Sequence, residues 1–198
     1  MDAEKLSYGY RFLFMLLIIG VNAFFAAGEA ALLSVRPSRL KQMASEGQVG
    51  AEAAMSLLAN PERLLSVSQV GLTLASLALG WLGEETLDSF IKMIFAPLIT
   101  DVTKGVAGII SLILAFLLMT FSHVVMGEVV PKNIAIDKAD RMAVIVAPIF
   151  LVFYKVVEPF VWVLEKAASA ASRALGVHGR QHGAHSPEEL KFGVSASQ

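Results

Sequence analysis

The chain has 198 residues, 56% of them hydrophobic and only 17% charged, with a formal net charge of −1 and no cysteine. A soluble domain carries about 25% charged residues, so the apolar excess points to lipid as the solvent. Near-neutral charge argues against nucleic acid as a partner, and the lack of cysteine excludes disulfides, thiolate metal sites and cysteine nucleophiles.

Crossing a bilayer takes about 20 mostly apolar residues. The first segment of that length, Phe12–Val35, is apolar apart from Asn22, Glu29 and Ser34. Asn22, Ala26 and Glu29 follow one another at helical spacing and share a face. For Glu29, partnership with Arg36, a polar interior and direct ligation of a cation are all open. Arg36, Arg39 and Lys41 beyond the segment read as a basic anchor, with a head-group contact as a further reading.

The second segment, Leu64–Gly83, has no formal charge and follows Asn60-Pro61-Glu62, a cap residue, a first-turn proline and an acid. Gln69, Thr73, Ser76 and Gly80 share a face. Ser76 and Gly80 read as small residues that let membrane helices approach and hydrogen-bond. Gln69 is too large for that role, so Gln69 and Thr73 are divided between helix contact and a site.

The third segment, Gly105–Gly127, contains one ionisable residue, His123, and runs into Gly127-Glu128-Val129-Val130-Pro131-Lys132. A carboxylate at mid-helix in a bilayer costs about 2.5–3.5 kcal/mol on insertion scales and is a functional-site hypothesis by default. Pro131 has no N–H, so the carbonyl of Gly127 loses its helical donor. A charged oxygen and a neutral one thus become available side by side, which is what a hard cation requires. The competing reading pairs Glu128 with Lys132 one turn on. His123 has no second histidine at ligand spacing, which makes it a poor case for zinc and a better one for hydrogen bonding.

A fourth apolar stretch, Met142–Leu164, contains Lys155, Glu158 and the helix-disrupting Pro148 and Pro159. It reads as a kinked, non-spanning juxtamembrane segment. The expected fold is an all-α membrane protein with three transmembrane helices and a juxtamembrane helical belt, occupying residues 1–175. Basic residues after the first and third spans place the N-terminus outside and the C-terminus in the cytoplasm. Residues 176–185 read as a polar linker, solvating His178, His182 and His185. Ser186-Pro187-Glu188-Glu189 announces a further cytosolic helix over 186–198.

The runs Asn22-Ala23-Phe24-Phe25-Ala26-Ala27-Gly28-Glu29, Arg36-Pro37-Ser38-Arg39-Leu40, Gln69-Val70-Gly71-Leu72-Thr73 and Gly127-Glu128-Val129-Val130-Pro131-Lys132 resemble the transmembrane domain of the CorC/CorB and CNNM (cyclin M) family. The resemblance covers about residues 8 to 190. It implies a homodimeric Mg2+ transporter, exporting Mg2+ in exchange for Na+, with cytosolic CBS domains after the membrane domain. It also implies an ion held, nearly dehydrated, by the Gly-Glu-x-x-Pro glutamate, a span-one serine, span-two asparagines and main-chain carbonyls. Carried over, these fall at Glu128, Ala26, Gln69 with Thr73, and Gly127. Ala26 departs from that pattern by offering no ligand. The candidate metal set is therefore Glu128, Gly127, Gln69, Thr73, Asn22 and Glu29, with Mg2+ as cargo and Na+ as coupling ion. The alternative is a non-transporting membrane anchor stapled by a structural cation. With no activated nucleophile, the chain is not expected to be an enzyme.

Overall fold

A computed structural model describes residues 2–95 and 104–174. The expected linker over 176–185, its histidines and the helix announced at Ser186 lie outside these residues. Among the described residues the chain is helical without strands: α1 (Asp2–Ser34), α2 (Pro37–Ser45), α3 (Ala51–Leu58), α4 (Pro61–Phe95), α5 (Lys104–Val124), a π-helical turn (Val125–Val129), α6 (Val130–Asp137) and α7 (Ala139–Ala174).

Proline opens several of these elements. Pro37 and Pro61 stand at the first positions of α2 and α4, where a missing N–H costs nothing and the fixed φ suits a helix. The reversal between α2 and α3 uses Gly47 and Gly50, both left-handed, with φ of 76° and 91°. Gly50 also passes so close to the Val144 carbonyl that a β-carbon would overlap it.

Four helical stretches are long and apolar enough to cross a membrane: Gly9–Ser34, Pro61–Ser89, Gly108–Asp137 and Ala139–Ala174. Length and apolarity therefore do not single out three. The expectation that Pro148 and Pro159 disrupt the fourth stretch meets a single helix, α7, containing both. Each proline removes one donor, and the flanking turns hold the helix together.

Up to Val157 the chain forms one compact unit. Its main core gathers Leu32 of α1, Val35 just after it, Leu40 of α2, Leu57 of α3, Leu64 and Val67 of α4, and Phe150 of α7. Phe25 organises the aromatic part, with ring centroids 5.5 Å from Phe150 and 4.9 Å from Phe153. A β-carbon on Gly28 would come within 2.5 Å of the Phe150 ring, so the missing side chain is what admits the ring. A smaller cluster joins Met15 and Ile19 of α1 to Leu79, Leu87 and Ile91 of α4 and Ala115 of α5. Ser111 Oγ donates to Asp88 Oδ1 at 3.0 Å, linking α5 to α4 in the same region. Along α1 the two clusters leave a gap between Ile19 and Phe25, and Asn22 lies in it.

From Glu158 onward the chain belongs to a second unit. Within it, Lys166 Nζ sits 5.7 Å from the centroid of Trp162.

Candidate cation site at the broken helix

At Val125–Val129 the third long helix changes its ladder. The Val130 N–H donates to the carbonyl of Val125, five residues back, instead of the usual four. Pro131 follows at once and has no N–H for Gly127, so the local sequence relaxes the turn from the C-terminal side. Single π turns of this kind are frequent at functional sites.

The carbonyl that proline frees is taken by another helix. Asn22 Nδ2 of α1 donates to Gly127 O at 3.0 Å, in a buried contact across 105 positions of sequence. A carbonyl can only accept, so this bond orients the amide with its nitrogen toward Gly127. The other amide atom, Asn22 Oδ1, is buried and has no hydrogen-bond partner. Leaving a buried polar atom unpaired costs about 1–3 kcal/mol. Asn22 as a whole is 0% exposed. Gly127 is buried against it: a β-carbon there would stand 3.1 Å from Asn22 Nδ2 and 3.1 Å from His123 Cδ2.

Glu128 is half-buried beside this pair. Among the described residues, no hydrogen bond or ion pair joins its carboxylate to Lys132 or to another side chain. The pairing that competed with a cation role is thus not formed, and neither is one between Glu29 and Arg36. Glu29 is half-buried, two turns further along α1.

The structure does not gather the whole expected set. Gln69 and Thr73 are exposed on α4 and make no side-chain hydrogen bond among the described residues. Of that stripe it is Ser76 that meets the third span, with its Oγ 3.4 Å from His123 Nε2. Ala26, where the resemblance implied a hydroxyl, is 0% exposed. No group of three or more His, Asp or Glu side chains able to hold a metal occurs among the described residues. A cation here would be held by one carboxylate, an amide oxygen and main-chain carbonyls, a hard-oxygen donor set. The π turn and the Asn22–Gly127 bond were not read from sequence. The adjacent Gly127 and Pro131, with one amide side chain in an apolar helix, were the signals available.

The fold and this geometry define a multi-pass helical membrane protein with an oxygen-rich break in one long apolar helix. The cyclin M transmembrane N-terminal domain family matches residues 12–198, and the chain belongs to that family. Its relatives include UPF0053 protein YhdP of Bacillus subtilis, 36% identical over 182 residues, which are 91% of this chain and 40% of the relative. UPF0053 protein YrkA of the same organism is 36% identical over 187 residues, 93% of this chain and 42% of YrkA. UPF0053 protein sll0260 of Synechocystis is 30% identical over 180 residues, covering 90% of this chain and 39% of the relative. The chain thus spans about two fifths of the length of these relatives.

Proposed function

We propose that this membrane domain binds a largely dehydrated Mg2+ between its helices and carries it across the bilayer, with Na+ as the coupling ion. The observation that carries the reading is the buried, unpartnered Asn22 Oδ1 next to a proline-freed backbone turn and an unpaired Glu128. Mg2+ takes oxygen ligands at about 2.0–2.1 Å in octahedral geometry. Glu128, Asn22 Oδ1 and a main-chain carbonyl would supply part of that shell. Gln69, Thr73 and Glu29 complete it in a second arrangement of the helices, since alternating access needs two.

Within this proposal Phe12–Val35, Leu64–Gly83 and Gly105–Gly127 are the three spans, and α7 is a belt. The N-terminus is outside and the C-terminus cytoplasmic, as the Lys and Arg distribution favours. The unit acts as a homodimer, a reading supported by the broad apolar surface that α5 leaves exposed at Ile109, Ile113, Phe116 and Leu117. The longer family members would add CBS domains after it.

Titrating the purified protein with Mg2+, Ca2+ and Mn2+, wild type beside Glu128→Gln, tests the site. Mg2+-dependent thermal stabilisation is expected in the wild type only, and its retention in the variant refutes the assignment. One observation favours a second reading, a structural cation in a non-transporting anchor: the buried Ala26 supplies no ligand. Vesicles holding a Mg2+ dye under an imposed Na+ gradient separate the two, because only a transporter moves the ion.

A further inference from the structure

Around the junctions of α1 with α2 and of α6 with α7, the chain builds a second polar site. The end of α1, the start of α2, the end of α6 and the start of α7 line an open groove of about 800 Å³. Arg36, Arg39, Lys138 and Arg141 line it, with Asp137 and Asp140 as the only acids in its wall. Arg39 Nε lies 3.5 Å from Asp140 Oδ2, and its Nη1 donates to Gln42 at 2.7 Å, so Arg39 is held in place and Asp140 is spent on it. Arg36, Lys138 and Arg141 make no ion pair or side-chain hydrogen bond among the described residues. Ser34 and Ser38 line the same space. A wall with surplus cations, donor hydroxyls and one uncommitted carboxylate suits an anion, and two guanidinium forks suit the tetrahedral oxygens of phosphate.

The cavity also lies at a telling depth. Two candidate spans end in it, Gly9–Ser34 and Gly108–Asp137, and the fourth begins there at Ala139. In the proposed topology the first span ends at Val35, next to Arg36 in this wall, so the groove opens where apolar helix gives way to water, which is where lipid phosphates lie.

We propose that this groove is a binding site for a phosphate-bearing anion, held by Arg36, Lys138 and Arg141 with Arg39 as a fixed wall. The same chemistry is offered by an anionic lipid head group and by free phosphate, and two arms of one experiment tell them apart. In the first, the 198-residue chain in neutral detergent is titrated with phosphatidylglycerol, with phosphatidylcholine as control, and bound lipid is counted by native mass spectrometry. In the second, inorganic phosphate is added to lipid-free micelles and thermal stabilisation is read against chloride.

Arg36→Gln with Arg141→Gln should weaken the bound ligand about thirtyfold, at roughly fivefold per cation. Both residues are exposed and unpaired, so the thermal midpoint without ligand should not move. If that double variant fails to fold, Lys138→Gln alone takes its place with about a fivefold loss. Loss in the first arm identifies a lipid, and loss in the second a soluble phosphate. The proposal is overturned if neither ligand binds better than its control. It is equally overturned if Lys41→Gln, on α2 but outside the cavity wall, weakens binding as much, since that would reduce the groove to diffuse surface charge.

Discussion

Asn22→Leu separates a ligand oxygen from a structural hydrogen bond, because its two effects on the cation-free protein oppose each other. Removing Nδ2 leaves Gly127 O without the donor now 3.0 Å away, and Pro131 cannot replace it. A buried carbonyl stranded in this way costs about 1–3 kcal/mol. Removing Oδ1 deletes an oxygen that is already buried and unpaired, which returns about the same amount. Leucine branches like asparagine at Cγ, so with the two terms offsetting, the cation-free protein should change by about 1 kcal/mol or less. That corresponds to about 2–4 °C in thermal midpoint for a chain of this size. The cation term has no such compensation. At Mg2+ a hundredfold above its dissociation constant, the wild type gains about 2.7 kcal/mol, or about 5–10 °C. The variant should gain less than about 1 kcal/mol at the same concentration. Intrinsic fluorescence of Trp81 and Trp162 during heating, with and without chelator, reads both quantities. An undiminished Mg2+ shift in Asn22→Leu would show that Oδ1 is not a ligand and refute the reasoning.

Three further outcomes are expected. Ala26→Ser restores the hydroxyl that the family resemblance implied at a fully buried position; calorimetric titration should show tighter Mg2+ binding, and unchanged affinity would place residue 26 outside the shell. Phe150→Ala removes the ring against Gly28, Phe24 and Phe25 and should destabilise the protein by about 3–5 kcal/mol in a thermal or denaturant melt. Gly50→Ala forces a left-handed residue with φ of 91° to carry a β-carbon against the Val144 carbonyl. A loss of at least about 1–3 kcal/mol should follow, and a neutral result would mean that the α2–α3 reversal can move away from α7.

Much of this architecture is carried by simple composition. Runs such as Phe12–Val35 and Gly105–Gly127 are too apolar to belong elsewhere than in lipid, and Asn60-Pro61-Glu62 marks the start of α4 to within a residue. The break in the helix at Gly127 also follows from local chemistry, because Pro131 deletes a known hydrogen bond. What replaces that bond is not local. Asn22 is 105 residues away, and nothing in either segment states that their helices meet. The same limit applies to Gln69 and Thr73, whose shared face is legible although what that face meets is not. The prolines of α7 do not end it. Proline removes one hydrogen bond, and a helix of 36 residues packed through Val144, Ala147 and Phe150 survives that loss.

The candidate site joins two unequal partners. Asn22 stands on α1, held on either side by the two cores, whereas Gly127 and Glu128 stand in the π turn that follows α5, a helix whose Ile109, Ile113, Phe116, Leu117 and Phe121 are exposed. The helical stretch Gly108–Asp137 has 30 residues, about 45 Å of helix against about 30 Å of hydrocarbon. A stretch longer than the slab around it tilts or bends until its apolar length fits. Its lateral neighbours, acyl chains or a second subunit, then help to decide how far Glu128 stands from Asn22. If the proposed site holds a cation, membrane thickness and lipid packing become determinants of its affinity in their own right.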